Sequence, residues 1–347
     1  MKAVSSADLP AARGRLWRAE NGAARCLACG HHCLIREGEC GICRMRFNRG
    51  GELMVPSGYV AGLNCDPVEK KPFFHVCPGS LAMTFGMVGC NFHCDFCQNW
   101  VSSQAFRIPE AGGPVERVTP DRLARIARDH GARLMVASYN EPVIAAEWVA
   151  DVFAAAKPAG LLCGAVSNGH LTVETLNLWK PWLDVLKVDL KCFDTEKYRT
   201  LGGSFETVRE TIRETHRRGH WLEVVTLLVP GFNDEEKEIR ALARFLSEVD
   251  RNIPWHVTAF HSAFRRVGVE RTPPLQLLRA AQWGVEEGLR FVYAGNVASQ
   301  AGEWENTRCP GCRRTLVERR GFSIGRVEVT ENGKCPACGE AVRGIWR

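Results

Sequence analysis

From residue 82 to about residue 294, short apolar runs alternate with amphipathic stretches of helical period. This alternation predicts repeated strand–helix units around a parallel sheet, and so an α/β fold. Thr119 before Pro120, and Asn233 before Asp234, are predicted helix starts because their side chains can cap a first turn. Six units are predicted, with a candidate seventh strand, at residues 82–88, 133–139, 161–167, 184–190, 221–228, 255–260 and 290–295.

Polar residues cluster where the predicted strands end. Parallel barrels and open sheets both carry their chemistry at the carboxyl ends of the strands. Each polar group taken alone is also explained as a turn or cap residue. Six such groups on one rim favour a functional site, and they are Cys90–Cys97, Ser138–Pro142, Ser167–His170, Asp189 with Lys191, Pro230–Gly231 and His261.

Composition and charge narrow the class of protein. The chain has 347 residues, 45% of them hydrophobic, and a formal net charge of +6 with the basic residues scattered, so nucleic-acid binding is not indicated. No run approaches the roughly 20 apolar residues of a membrane span, and the N-terminus lacks the apolar stretch of a signal peptide. We therefore expect a soluble, cytoplasmic protein without membrane association.

Sixteen cysteines in a protein expected in the cytoplasm indicate metal ligation, because the cytosol keeps thiols reduced. The flanking segments are short and rich in Cys and Gly, so each is predicted to need a metal in place of a large core. The predicted division is an N-terminal Cys-rich module (1–50), a lead-in segment (51–81), a strand–helix domain (82–300) and a C-terminal zinc ribbon (301–347).

Cys90, Cys94 and Cys97 have the spacing C-x3-C-x2-C directly after the first apolar strand, and Gly86 and Gly89 allow a sharp turn before them. Three thiolates on one short loop can hold three corners of a 4Fe-4S cubane. The fourth iron then lacks a protein ligand, and an open position on a metal is where a small molecule binds and reacts. A zinc site is the alternative, although zinc normally takes four ligands from separate pairs.

The cysteine loop resembles the signature of the radical S-adenosylmethionine (SAM) superfamily, including Phe96 before the last cysteine. Over its whole length the chain resembles the AmmeMemoRadiSam system radical SAM enzymes, which are related to the activating enzymes of pyruvate formate-lyase. The stretches that carry this resemblance are Cys26–Cys29, Gly38–Cys43, Asp66–Ser80, Gly89–Trp100, Tyr139–Pro142, Ser167–Gly169, Asp189–Lys191, Val229–Asp234 and the C-terminal cysteine pairs.

The resemblance implies a partial (β/α)6 barrel whose 4Fe-4S cluster cleaves SAM to a 5'-deoxyadenosyl radical. Glu141 is the candidate for contacting the methionine amino group, in a motif where Tyr139 and Asn140 replace the usual glycine pair. Val166 stands where related activases often have an acid. The resemblance implies cofactor contacts, against the alternative of capping or packing, for Phe96, Asn140, Glu141, Ser167, Asn168, Asp189 and Lys191.

Two further cysteine groups flank the barrel region. Two C-x2-C pairs near the C-terminus can supply four thiolates to one tetrahedral zinc, and their residues are Cys309, Cys312, Cys335 and Cys338. In the N-terminal group, the metal is zinc or an auxiliary iron–sulfur cluster, the latter recruiting Cys33. The simplest ligand set there is Cys26, Cys29, Cys40 and Cys43.

The lead-in segment between Asp66 and Ser80 contains three prolines and cannot form a regular helix. It lines the mouth of the site, with Lys71 or His75 touching substrate, or it covers the bottom of the barrel. His256 is interpreted as a packed or surface residue, whereas His261 lies at the carboxyl end of the sixth strand.

The leading hypothesis is a radical SAM enzyme that abstracts hydrogen from an unknown substrate, with proteins and peptides among the candidates. The resemblance implies association with Memo-type and AMMECR-type proteins and an electron donor such as flavodoxin or ferredoxin. A glycyl-radical activase is the second hypothesis. The third hypothesis is a non-catalytic module that binds protein or RNA through its zinc-binding cysteine pairs. This hypothesis does not explain the cysteine trio. No catalytic residue of the chain is predicted.

Overall fold

The computed structural model describes residues 9–297 and 300–346. The strands in chain order are β1 (Ala11–Arg13), β2 (Trp17–Glu20), β3 (Ala23–Cys26), β4 (Leu34–Ile35), β5 (Phe47–Arg49), β6 (Glu52–Pro56), β7 (Tyr59–Val60), β8 (Gly62–Pro67), β9 (Leu81–Gly86), β10 (Glu116–Arg117), β11 (Leu134–Ala137), β12 (Leu162–Ser167), β13 (Val185–Asp189), β14 (Trp221–Leu228), β15 (Trp255–Ala259), β16 (Val292–Gly295), β17 (Thr307–Arg308), β18 (Thr315–Arg320) and β19 (Ser323–Val327).

The helices connect most of the later strands. They are α1 (Trp100–Ser103), α2 (Pro120–Asp129), α3 (Ala146–Ala156), α4 (Val173–Trp179), α5 (Thr195–Thr200), α6 (Phe205–Arg217), α7 (Glu236–Asp250) and α8 (Pro274–Glu286). Short 3-10 turns occur at Val68–Lys70, Pro142–Ala145 and Gly302–Glu305. No described helix has both the length and the apolar character needed to cross a membrane.

An eight-stranded sheet forms the centre of the fold. Its strands follow one another in chain order, β8-β9-β11-β12-β13-β14-β15-β16, and every neighbouring pair from β9 onward is parallel. This order, with a helix before most strands, is that of the predicted partial barrel. All six predicted strands are present, and the candidate seventh is β16.

The eighth strand was not predicted. β8 pairs antiparallel with β9, with Leu63 opposite Phe85 and Cys65 opposite Met83. It comes from the lead-in segment, where the sequence lacks the apolar run of a strand buried on both faces. Its residues are half-buried or exposed, as expected for an edge strand.

One of the two predicted helix starts is correct. Thr119 caps α2, because its side chain accepts a hydrogen bond from the backbone N–H of Arg122. Asn233 does not cap a helix, since α7 begins at Glu236. Its side-chain amide instead accepts from the Val229 N–H at 2.7 Å and donates to the carbonyls of Lys191 (2.6 Å) and Leu227 (2.8 Å). Asn233 therefore ties together the ends of β13 and β14.

The flanking segments form small sheets, β1-β6-β5 and β2-β3-β4 before the barrel and β17-β18-β19 after it. Cys26, Cys43 and Met45 belong to the same apolar core as the barrel residue Phe85. The N-terminal segment thus shares the barrel's core. The C-terminal sheet contributes Leu316 and Val342 to a smaller cluster, which also contains Phe74 of the lead-in segment and Phe291 and Tyr293 of the barrel. The division at residues 50, 81 and 300 stays a prediction.

Candidate active site

A cavity of about 490 Å³ opens at the carboxyl ends of the parallel strands. Its wall contains all three cysteines of the loop after β9, together with side chains that follow β11, β12 and β13. Every barrel residue that the sequence proposed for cofactor contact lies on this wall, namely Phe96, Asn140, Glu141, Ser167, Asn168, Asp189 and Lys191. The structure therefore brings the predicted set to one place.

The cysteine loop is held in a tight turn at Gly89. This glycine has a φ of +95°, and a Cβ added there would lie 2.3 Å from Cγ of Met45, so no other residue fits without movement. The sulfur of Cys90 lies 3.3 Å from the backbone N–H of Phe92, and that of Cys97 lies 3.2 Å from Ser103 Oγ. Both contacts orient a sulfur on the cavity wall.

Asn140 supports the cysteine loop from the end of β11. Its side-chain oxygen accepts from the Met87 N–H at 3.0 Å, and its amide nitrogen donates to the Gly89 carbonyl at 3.0 Å. The preceding Tyr139 has a φ of +71°. Asn140 was predicted as a cofactor contact, and the structure shows in addition a positioning role that the sequence did not suggest.

Glu141 connects the ends of β11 and β12. Its carboxylate accepts hydrogen bonds from the Ser167 hydroxyl (2.8 Å), the Asn168 N–H (2.7 Å) and the Val143 N–H (3.1 Å). Burial raises the pKa of Glu141 to about 7, although these hydrogen bonds oppose the shift. A cation placed beside it would favour the charged form.

Asp189 is clamped between two lysines. Its carboxylate oxygens lie 2.9 Å from Nζ of Lys187 and 2.9 Å from Nζ of Lys191. Burial alone would raise the pKa of Asp189, but the two ammonium groups outweigh it and hold that pKa well below its usual range. Lys191 also lies close enough to Cys94 to favour the thiolate of that cysteine. The group therefore places positive charge beside the cysteine loop.

Sequence reasoning missed Lys187, a buried side chain that lines the cavity from the middle of β13. The sequence feature that could have identified it is a lysine inside the apolar run Val-Leu-Lys-Val, because a strand buried on both faces rarely carries a charge. Thr258 and Tyr293 also line the cavity and were not proposed. They come from β15 and β16, whose ends contributed fewer polar residues to the prediction.

The lead-in segment reaches the cavity through Lys71 but not through His75. Lys71 lines the cavity, with its Nζ 3.0 Å from Asp66 and 3.4 Å from the Tyr139 hydroxyl. His75 is fully buried away from it, with ring nitrogens 2.7 Å from the Arg343 carbonyl and 2.6 Å from the Tyr293 hydroxyl. The suggestion that His75 touches substrate is therefore wrong.

The two histidines at β15 differ in burial, since His256 is buried and His261 is exposed. His256 is buried, as interpreted, with Nε2 2.7 Å from Glu223, and part of it reaches the cavity wall. His261 is exposed, and its ring nitrogen lies 3.0 Å from the side-chain nitrogen of Gln98. His261 is absent from the described residues that line the cavity.

The four C-terminal cysteines converge. Within the described residues they are the group of possible ligands whose sulfurs all lie within 4.8 Å of one another. The sulfurs of Cys309 and Cys338 are 3.5 Å apart, and those of Cys312 and Cys335 are 3.7 Å apart. Tetrahedral zinc with bonds of about 2.3 Å sets its thiolates roughly 3.8 Å apart, so one such ion fits.

In the N-terminal group, four cysteines line one small cavity. They are Cys26, Cys29, Cys33 and Cys43. Cys40 was predicted as a ligand, but it is not among the described residues that line this cavity. The structure therefore presents Cys33 where the simplest predicted set had Cys40.

Comparison with known proteins identifies the family. Residues 85–243 match the family model described as the Radical SAM superfamily. An uncharacterized protein of Methanocaldococcus jannaschii, MJ0808, is 33% identical over 326 residues, which cover 93% of this chain and 96% of that protein. The chain belongs to the radical SAM superfamily. It is therefore a radical SAM enzyme, and its family implies a 4Fe-4S cluster and SAM as cofactors.

Two further similarities concern activating enzymes. The isethionate sulfite-lyase activating enzyme of Oleidesulfovibrio alaskensis is 37% identical over 101 residues, covering 25% of this chain and a third (33%) of that enzyme. A solved domain of the pyruvate-formate lyase-activating enzyme from Bacteroides vulgatus is 20% identical, with a TM-score of 0.41, and covers 45% of this chain and 94% of that domain.

The cysteine loop fits the cluster of a radical SAM enzyme. Three thiols of one loop face a single cavity, so three corners of one cluster can be held from this loop.

Proposed function

We propose that the cluster is held by Cys90, Cys94 and Cys97, which leaves its fourth iron free for SAM. The observation that carries this proposal is the shared cavity, in which three thiols lie together with the polar ends of β11, β12 and β13. When bound, the reduced cluster and SAM supply a 5'-deoxyadenosyl radical that abstracts hydrogen from a substrate.

Glu141 is proposed to receive the methionine ammonium group of SAM. Its carboxylate is buried and already oriented by Ser167 and Asn168, so it loses little freedom on binding. Its pKa, raised to about 7 by burial, would fall when a cation lies beside it. We therefore expect SAM to bind more weakly below pH 7, where part of Glu141 is protonated in the free enzyme.

Lys191 and Asp189 are proposed to hold the carboxylate and ribose side of SAM, together with Ser167 and Asn168. Asp189 already orients the Lys191 ammonium group at 2.9 Å. Lys191 also partly offsets the negative charge of the thiolates, being close to Cys94. Phe96, packed against Phe232 at 5.4 Å between ring centroids, is proposed to flank the adenine.

The experiment is anaerobic reconstitution with iron and sulfide, followed by reduction and assay for 5'-deoxyadenosine. The wild type is expected to form it, and Cys94→Ala is expected to form none. Cys65→Ala is the matched control, because Cys65 is a half-buried cysteine on β8 that does not line the cavity. A fully loaded wild type that forms no 5'-deoxyadenosine would favour the non-catalytic binding module.

Glu141→Gln tests the proposed SAM contact separately from the cluster. Glutamine keeps the shape and an acceptor oxygen but removes the charge, so the cluster should load normally while SAM binds at least about tenfold more weakly, since a charged hydrogen bond is worth about 1.5–3 kcal/mol. The perturbation of the cluster's paramagnetic spectrum by titrated SAM measures this. Unchanged affinity would remove Glu141 from the proposal.

The substrate class stays open between a small molecule, a peptide and a protein. A glycyl-radical activase is the second candidate, and the relative named isethionate sulfite-lyase activating enzyme supports it. Its test is paramagnetic resonance of a co-purifying partner protein after incubation with the reduced enzyme and SAM. A glycyl-type signal on the partner would favour this candidate, and hydrogen abstraction from a different residue or compound would exclude it.

We also propose the AmmeMemoRadiSam assignment, with Memo-type and AMMECR-type proteins as partners and flavodoxin or ferredoxin as electron donor. Its support is the sequence resemblance across the whole chain. Co-purification from the native organism tests the partners. Zinc is proposed for the C-terminal cysteines on the sulfur spacing given above, and it would stabilise that segment without taking part in catalysis.

A further inference from the structure

The N-terminal cysteines have the geometry of a cluster site and not that of a single-ion site. No three of their sulfurs, nor any three neighbouring described ligand atoms, lie within 4.8 Å of one another, whereas the four C-terminal sulfurs do. A single zinc requires spacings of about 4.6 Å or less.

Cys33 takes part in this group because of the β3–β4 hairpin. Cys26 ends β3, and its backbone N–H donates to the Cys33 carbonyl at 2.9 Å, so these two residues lie across the turn from each other. Gly41 lies against Cys33, since a Cβ added at Gly41 would be 3.5 Å from the Cys33 sulfur. That distance is an ordinary contact, and the nearest atom to such a Cβ is Cδ1 of Ile35 at 3.2 Å.

The walls of the site suit a buried anionic cluster. Four of the lining residues are buried and aliphatic, namely Ala28, Ile35, Val143 and Ile144, whereas Ile42 at the rim is exposed. Arg46 also lines the cavity and is almost completely buried. Its guanidinium group is held by Glu147 at 2.8 and 2.7 Å, which fixes a positive charge beside the thiolates.

We propose that Cys26, Cys29, Cys33 and Cys43 hold a second 4Fe-4S cluster, and that Cys40 is not a ligand. All four irons then have a protein thiolate, so this cluster has no open position for SAM. The proposal concerns a site separate from the Cys90–Cys97 loop and does not depend on the function proposed above.

The two cysteine groups are in direct structural contact, which the experiment must take into account. One nitrogen of the Arg107 guanidinium group donates to the carbonyls of Ile42 (2.7 Å) and Cys90 (2.8 Å). The Cys43 carbonyl is 3.4 Å from a Cβ built at Gly89. Damage at the N-terminal site can therefore disturb the first cluster, so each site needs its own readout.

The test is iron and sulfide content after anaerobic reconstitution. The wild type is expected to hold about eight of each per chain, since each 4Fe-4S cluster contains four irons. Cys33→Ala should retain about half of this content and keep the SAM-dependent change in its paramagnetic spectrum. Cys40→Ala is the matched control, because Cys40 is half-buried as Cys33 is, and it should retain the full content.

A variant lacking all three of Cys90, Cys94 and Cys97 isolates the second site. It should still bind about four irons, with a spectrum that does not respond to SAM. This measurement stands even if Cys33→Ala fails to fold. The proposal is overturned if this variant binds no iron, or if the wild type holds zinc in the N-terminal group that Cys40→Ala removes and Cys33→Ala retains. Absence of 5'-deoxyadenosine alone would affect the proposed function and leave this proposal standing.

Discussion

The buried pair between Arg46 and Glu147 should determine how firmly the N-terminal segment is attached to the barrel. Both side chains are almost fully buried, with 3% and 5% of their surface exposed. Two parallel N–H···O bonds join them, and Glu147 Oε1 also accepts the backbone N–H groups of Arg15 (3.0 Å) and Leu16 (3.1 Å). One carboxylate on α3 thus binds two separate parts of the N-terminal segment.

Glu147→Gln removes the charge and retains an oxygen that can accept from Arg15 and Leu16. Arg46 then loses the carboxylate that its guanidinium group binds directly, and removing one partner of a buried ion pair costs about 3–5 kcal/mol. Glu147→Ala should cost more, because the two N–H groups also lose their acceptor, at about 1–3 kcal/mol each. These losses are large beside a total stability of roughly 5–15 kcal/mol.

The pH dependence of the pair has a definite sign. Burial alone would raise the pKa of Glu147, but Arg46 outweighs it and holds that pKa well below its usual range. A carboxyl group whose folded-state pKa is lowered contributes stability above its unfolded pKa of about 4.5, and that contribution is lost as the pH falls further. The destabilising effect of Glu147→Gln should therefore shrink progressively below pH 4.5.

The assay is urea unfolding of the reconstituted protein, followed by intrinsic tryptophan fluorescence. The control is the double variant Arg46→Met with Glu147→Gln, which removes the buried cation but keeps the acceptor oxygen for Arg15 and Leu16, and it should recover most of the loss. A loss below about 1 kcal/mol for Glu147→Gln, or a double variant as unstable as the single one, would refute this account of the pair.

Three further predictions follow from local geometry and titration. Gly203→Ala would place a Cβ 2.1 Å from the Phe92 ring, so it should reduce the free energy of unfolding by about 1–3 kcal/mol and lower iron retention. Gly113→Ala is the control, because open space surrounds Gly113, and it should behave as wild type in the same unfolding and iron assays. Burial lowers the pKa of His75 to about 4, so the unfolded state binds its proton first. The contribution of His75 alone should reduce stability by about 1.4 kcal/mol per pH unit as the pH falls from 6.5 to 4, and His75→Asn should reduce the measured slope by that amount. Replacing one of the four C-terminal cysteines by alanine should remove one zinc per chain in elemental analysis and leave the iron content unchanged.

The barrel could be predicted from sequence because its strands are buried on both faces. Such strands appear as continuous apolar runs, as in β11, where all four residues are buried. β8 escaped prediction because an edge strand covered on one side has no such run. Asn233 was wrongly predicted as a helix cap because the same side chain can either cap a helix or bond the backbone at the ends of two strands. Which of the two it does depends on where β13 lies relative to β14.

The candidate site was predictable as a set of residues but not as a set of contacts. Chain order and strand ends bring Glu141, Ser167 and Asp189 to one rim, since neighbouring parallel strands end at the same edge. Whether Lys187 points into the cavity and whether His75 is buried away from it both depend on the face of the strand or turn that each side chain occupies. A shift of one residue in register reverses that face, and sequence reasoning does not fix the register of a lead-in segment.

The choice between Cys33 and Cys40 has the same origin. Spacing along the chain offers both cysteines equally, and a C-x2-C pair followed by another cysteine pair suggests a zinc knuckle. The structure separates them. Cys26 lies at the end of β3, and Cys33 lies opposite it, just before the paired strand β4. Cys40 lies outside this hairpin and forms a β-bridge with Phe47. Ligand identity in this segment is therefore a consequence of hairpin pairing, and the iron content of the two single variants measures that consequence directly.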